Sequence, residues 1–230
     1  MEMIKKNDFV EIRFTGSSQG QVFDSNIEEE VKKLDPKAKP EKLLIVVGQG
    51  MVITGLDAAL EGKEYGKAYE VDIAFKEGFG PRRKEMVKVL PLKIFTEKQV
   101  HPQVGMMLTM DNTMAKVIAV SGGRVTVDFN NPLAGKDLHY SFTVVKKLED
   151  EKERIELLFR QFFGFIPEYD LKEQVVVKGP KSFVVFITAF KEKFKELIGK
   201  DLSFEEKQGA QPAPVHNHDE PGHEGHVHEH

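Results

Sequence analysis

The sequence predicts an α+β fold built from three successive textures. Over the first 75 residues apolar and polar side chains alternate at a period of two, with one short stretch at helical spacing between. From Gly80 to Asp137 the chain keeps to short strand-like pieces joined by glycine turns. From Asp150 to Phe204 helical and strand spacing are mixed, in a segment that holds nine of the seventeen phenylalanines.

In order, Val10, Ile12 and Phe14 face one way and Phe9, Glu11 and Arg13 the other, which predicts a half-buried strand. A turn follows at Gly16 to Gly20, then Gln21 to Ser25, then a polar stretch with Pro36 and Pro40. Leu43 to Val47 supplies another strand, stopped by Gly48-Gln49-Gly50. Leu56, Ala59 and Leu60 lie at helical spacing between Gly55 and Gly62, enough for one or two turns that must lean on a sheet. Tyr69, Val71, Ile73 and Phe75 alternate with Glu70 and Asp72 as a further strand.

Strand-like pieces then fall at 87–90, 106–110, 114–120 and 124–129, with a hairpin signal at Ser121-Gly122-Gly123-Arg124. Five of the eight methionines lie here. Unbranched thioethers suit a surface that accepts varied apolar partners, and equally suit core filling. Beyond Asp150 the expected order is helix (Ile155 to Phe162), strand (Gln174 to Val177), strand (Phe183 to Ile187) and helix (Phe190 to Ile198). So many rings in so small a domain suit either a compact aromatic core or a surface for a homodimer.

The chain has 230 residues, 40% hydrophobic and 30% charged, with a net charge of -4, which suits one to three small domains. No basic stripe marks a nucleic-acid partner, and the longest apolar runs are too short for a membrane span. No signal-like stretch follows Met1, so a cytoplasmic location is expected. Absence of cysteine removes disulfides, thiol catalysis and thiolate metal sites. Residues 205–230 are expected to form a disordered tail. Its His216, His218, His223, His226, His228 and His230, interleaved with Asp, Glu and Gly, offer imidazoles to nickel or zinc. A solvated acidic tail is the plainer alternative.

Several large apolar groups fall at strand ends, turn edges and the short helix, where they suit a pocket. The ordered motifs Phe14-Thr15-Gly16, Val22-Phe23-Asp24-Ser25, Val47-Gly48-Gln49-Gly50-Met51-Val52-Ile53-Thr54-Gly55-Leu56-Asp57, Gly78-Phe79-Gly80 and Phe142 to Leu148 resemble FKBP-type peptidyl-prolyl isomerases. The chain is most similar to the SlyD-like branch and its long archaeal relatives, whose insert-in-flap chaperone domain interrupts the last loop before the closing strand. The resemblance covers residues 1 to about 148.

It implies a half-open antiparallel sheet wrapped on a short helix, with an isomerase domain at 1–82 and 138–149 and a chaperone domain at 83–137. A small C-terminal α+β domain at 150–204 and the tail complete the expected organisation. Residues carried over as the pocket are Phe14, Phe23, Asp24, Val52, Ile53, Leu56, Phe79 and Phe142. Leu56 stands where a tryptophan floor is common, and Phe14 and Phe79 where tyrosines are frequent. The implied activity is X-Pro isomerisation in unfolded or proline-containing polypeptides, with no cofactor. Clients would be held through Met106, Met107, Met110 and Met114. For each ring the plainer role is core packing, and for Asp24 an Asx turn with Ser25. A holdase with little isomerase activity and a nickel or zinc metallochaperone are the alternative functions.

Overall fold

The computed structural model describes residues 2–207 and divides the chain into two compact units, Met1–Lys147 and Leu148 onward. In the first unit β1 (Phe9–Ser18) is the hub of a five-stranded sheet. It pairs antiparallel with β2 (Gln21–Ser25), β3 (Leu43–Val46) and β9 (Leu138–Lys147), and β9 pairs with β4 (Ala68–Ile73).

Burial of β1 exceeds the half-buried alternation expected of it, since Phe9 and Glu11 on the opposite face are buried as well. Val10, Ile12 and Phe14 meet Leu138, Tyr140, Phe142 and Val144 of β9 and close over Leu56 and Leu60 of α2 (Thr54–Leu60). A helix of two turns has little stability alone, so its packing on the sheet sustains it. The approach is tight at Gly55, where a Cβ would press on the Ile73 side chain. Between β2 and β3 the polar stretch, for which no element was expected, holds a short helix, α1 (Glu28–Leu34). Its acidic first turn, its lysines in the last turn and the Glu28–Lys32 pair at 2.6 Å favour helix locally.

Between β4 and β9 the chain leaves to form a separate four-stranded antiparallel sheet. It comprises β5 (Val87–Pro91), a turn of helix α3 (Leu92–Thr96), β6 (Met107–Met110), β7 (Thr113–Ser121) and β8 (Arg124–Asp128), in the order β5-β8-β7-β6. Phe95, Ala115, Val117, Val125 and Val127 form its own small core. The hairpin expected at Gly122-Gly123 is present, with both glycines at positive φ and Ser121 opposite Arg124.

The second unit runs α4 (Glu151–Phe163), β10 (Glu168–Leu171), β11 (Val175–Gly179), α5 (Phe183–Ile198) and β12 (Leu202–Glu206). Asp150 caps α4 by accepting from the Glu153 N–H at 2.7 Å, and Gly164 ends it in the left-handed conformation. Phe159 is fully buried among Phe163, Tyr169 and Phe194. The strand expected at Phe183 to Ile187 is instead the first turn of α5. β11 and β12 run parallel, so the chain between them must cross over, and a helix is the ordinary way to do so. Strand β12 ends at Glu206, two residues inside the stretch assigned to the tail.

Candidate active site

Two glycines and a carboxylate set the shape of the site. Gly48 and Gly50 both take positive φ, and their N–H groups donate to the two carboxylate oxygens of Asp57 at 2.7 and 2.9 Å. Asp57 is itself buried in α2, so the loop is tied to the helix it precedes, and the next residues, Met51, Val52 and Ile53, are held at the sheet's open end. On the other side Asn26 substitutes for a missing strand. Its side chain accepts from the Phe14 N–H and donates to the Ile12 carbonyl, each at 2.8 Å.

These devices surround a cavity of about 490 Å³, within the size usual for binding sites. Phe14, Asp24, Val52, Ile53, Leu56 and Phe79, all expected in the pocket, line it together. Charged side chains enter at Asp24 and from the segment at Lys39, Glu41 and Lys42. Partial burial raises the pKa of the Asp24 carboxyl above its usual range, opposed by a hydrogen bond from the Ser25 backbone.

Phe23 and Phe142, also expected as walls, do not line it. Phe23 stands one ring behind, edge-on to Phe79 at 6.2 Å and to Tyr140 at 5.9 Å between centroids. Phe142 is a core residue, stacked on Tyr69 at 5.8 Å and paired across the sheet with Phe14. The ring of β9 that reaches the cavity is Tyr140, two residues earlier on the same face. Opposite Tyr140 in the register is Gly16, where a Cβ would lie 2.8 Å from the Phe23 ring and 3.0 Å from the Tyr140 ring. The bare glycine is what lets both rings close over β1. Strand alternation in Leu138, Tyr140, Phe142 and Val144 was the available signal for Tyr140. Desolvation, then the nearby Asp24 charge, pushes its phenol up to about 12.

A family model described as FKBP-type peptidyl-prolyl cis-trans isomerase matches residues 1–98, and one described as FKBP26, IF domain matches residues 88–133. The short-type peptidyl-prolyl cis-trans isomerase of Methanocaldococcus jannaschii is 33% identical over 147 residues, 63% of this chain and 94% of that protein. The chain belongs to the FKBP-type peptidyl-prolyl cis-trans isomerase family. The FKBP-type SlyD isomerase of Haemophilus influenzae is 31% identical over 156 residues, 66% of this chain and 76% of that protein. That of Helicobacter pylori is 29% identical over 160 residues, covering 67% and 80%. This FKBP is thus SlyD-like, and it is a peptidyl-prolyl isomerase whose substrates are proline-containing polypeptides.

Of the methionines expected to hold clients, Met106, Met107 and Met114 of the FKBP insert are exposed, whereas Met110 packs partly against the insert's core. The difference follows from the pleat of β6: Met107 and Thr109 face outward, Leu108 and Met110 inward. The six tail histidines expected to hold metal lie outside the described residues. Among the described residues no three His, Asp or Glu side chains gather in a group that could hold a metal ion. No described helix is long and apolar enough to cross a membrane.

Proposed function

We propose that this isomerase is a folding helper: the cavity beside Ile53 twists X-Pro bonds, while the insert holds the unfolded chain that carries them. The observation that carries the reading is the cavity wall, where Phe14, Leu56, Phe79 and Tyr140 from four separate segments enclose one space beside Val52-Ile53.

The physics of the reaction fits such a wall. Rotation about the peptide bond faces a barrier of about 18–20 kcal/mol because the twisted state loses amide resonance. The planar imide is the more dipolar form and is better solvated by water, so a dry cage of rings favours the twisted form relative to the planar one. No proton transfer, covalent step or cofactor is required. In this account Phe14, Leu56, Phe79 and Tyr140 grip the proline ring, and Val52-Ile53 meets the substrate backbone. Phe23 braces Tyr140 and Phe79 from behind. Asp24 places a carboxylate at the mouth, where it acts on the rotating carbonyl's surroundings.

Client holding is supported by two features of the insert. Among the described residues edge strand β6 pairs only with β7, so its other side offers backbone hydrogen bonds to an extended chain. Met106, Met107 and Met114 provide adaptable apolar contact beside that edge. A held chain raises the concentration of its prolines at the cavity without any change in chemistry. Replacing Met106, Met107 and Met114 together by serine should slow catalysed refolding of a proline-limited protein by about tenfold while sparing a short proline peptide. Equal rates for wild type and the triple variant on the refolding protein would refute client holding by this face.

A further inference from the structure

The two chain segments that connect the isomerase sheet to the insert are laced together, and a second cavity lies against the lacing. Gly135 N–H donates to the Gly80 carbonyl at 2.8 Å, and Phe129 N–H to the Met86 carbonyl at 2.9 Å. Between these, the Asn130 amide accepts from the Arg83 N–H at 2.8 Å and donates to the Arg83 carbonyl at 2.9 Å. Asp128 takes the Arg82 guanidinium at 2.6 Å and the Asn130 amide at 2.6 Å. Desolvation acts to raise its carboxyl, but the hydrogen bonds from Asn130 and Arg82 together hold it below the usual range.

Beside this clasp is a hollow of about 200 Å³ walled by Phe79, Pro81, Met86, Phe129 and Ala134, with Arg83, Asn130 and Asn131 as its polar margin. Two facts set it apart from a surface dimple. Its walls belong to both connecting segments, which the hydrogen bonds above join. Phe79, moreover, lines the isomerase cavity as well, so the two spaces share that residue. The Asn130 amide, which could otherwise make the hollow polar, is spent on Arg83 and Asp128.

We infer that this hollow is a second substrate subsite, taking one apolar side chain of the same polypeptide whose proline occupies the cavity across Phe79. The inference rests on the cavity beside Ile53 being the isomerase pocket. Its size admits a single Leu, Met or Phe side chain, and Phe79, Pro81, Met86, Phe129 and Ala134 offer that side chain apolar contact. A short peptide that fills only the proline pocket gains nothing from it. A longer chain gains both affinity and orientation, so the preference appears as a dependence of kcat/KM on sequence some residues away from the proline.

The test uses the full chain, one proline tetrapeptide, and a set of longer peptides that carry a single Leu moved stepwise away from the proline in an otherwise Gly/Ser background. The expected result is one position at which Leu raises kcat/KM by about tenfold over Gly, the value of burying one side chain. Met86→Ala, which strips a wall, and Ala134→Leu, which fills the hollow, should each erase that gain while leaving tetrapeptide turnover unchanged. Loss of the gain in Ala134→Leu is the more telling result, because that change removes no packing. If wild type turns over the tetrapeptide but shows no preferred position, or if the preference survives both variants, the subsite is refuted and the pocket stands. If wild type does not turn over the tetrapeptide, the pocket reading fails and the subsite with it.

Discussion

Gly16 shows how one missing side chain shapes a site. A methyl group there would press on the Phe23 and Tyr140 rings at 2.8 and 3.0 Å, distances that must relax by moving rings which themselves wall or brace the cavity. Gly16→Ala should therefore cost about 1–3 kcal/mol of stability, seen as a lower urea midpoint, and should lower kcat/KM for a short proline peptide in the fraction that remains folded. The motif containing Gly16 was legible in the sequence, but its purpose was not, because its two neighbours come from β2 and β9. The same non-local pairing explains why Phe142 looked like a wall. Tyr140 and Phe142 share one face of β9, and alternation alone cannot say which reaches the cavity. The register with β1 decides it: Phe142 lies across from Phe14 in mid-sheet, Tyr140 across from Gly16 at the open end.

At the scale of elements, the loop before α2 and the helix itself act as one piece because Asp57 accepts from Gly48 and Gly50. Both of its oxygens are engaged, and the side chain is nearly inaccessible, so truncation leaves two backbone donors without a partner. Asp57→Ala is expected to cost about 2–3 kcal/mol. It should also free Met51 to Ile53 to move, raising KM for proline peptides more than it lowers kcat. Unaltered KM in a folded variant would show that the tie is only structural. The helix was legible from Leu56, Ala59 and Leu60 between two glycines, and the strands of the first unit from their period of two. Elements were missed where local preference and long-range need diverge. Val184, Val185, Phe186 and Ile187 have the composition of a strand, yet they begin the 16-residue helix that carries the chain from β11 to its parallel neighbour β12. Helix α1 was missed for the opposite reason: charge pairing and helix-dipole terms support it, with Val31 its one buried residue.

For the whole molecule, three tyrosines report the burial of their own hydroxyl groups. Burial is the leading cause that pushes Tyr65, Tyr140 and Tyr169 up to about 12 each, from an ordinary value of 10.0. All three stay protonated in the native state while the unfolded chain would already ionise. The native state thus binds more protons between pH 10 and 12, and stability falls as pH rises through that window. An absorbance titration of tyrosinate should show these three of the four tyrosines ionising late, followed by a drop in the urea midpoint from pH 10 upward. All four phenols titrating near 10 in native protein would contradict the packing around Tyr140.

The proposed catalysis depends most on rings from β1, β9 and the Gly78-Phe79-Gly80 turn, together with Leu56 of α2, forming the apolar wall at which proline-linked backbone twists. The direct test is kcat/KM for a short X-Pro peptide with wild type, Phe79→Ala and Tyr140→Ala, each checked for folding by circular dichroism. Folded variants slower than wild type by about tenfold or more are what the cavity predicts. Folded variants as fast as wild type would place catalysis elsewhere on the molecule.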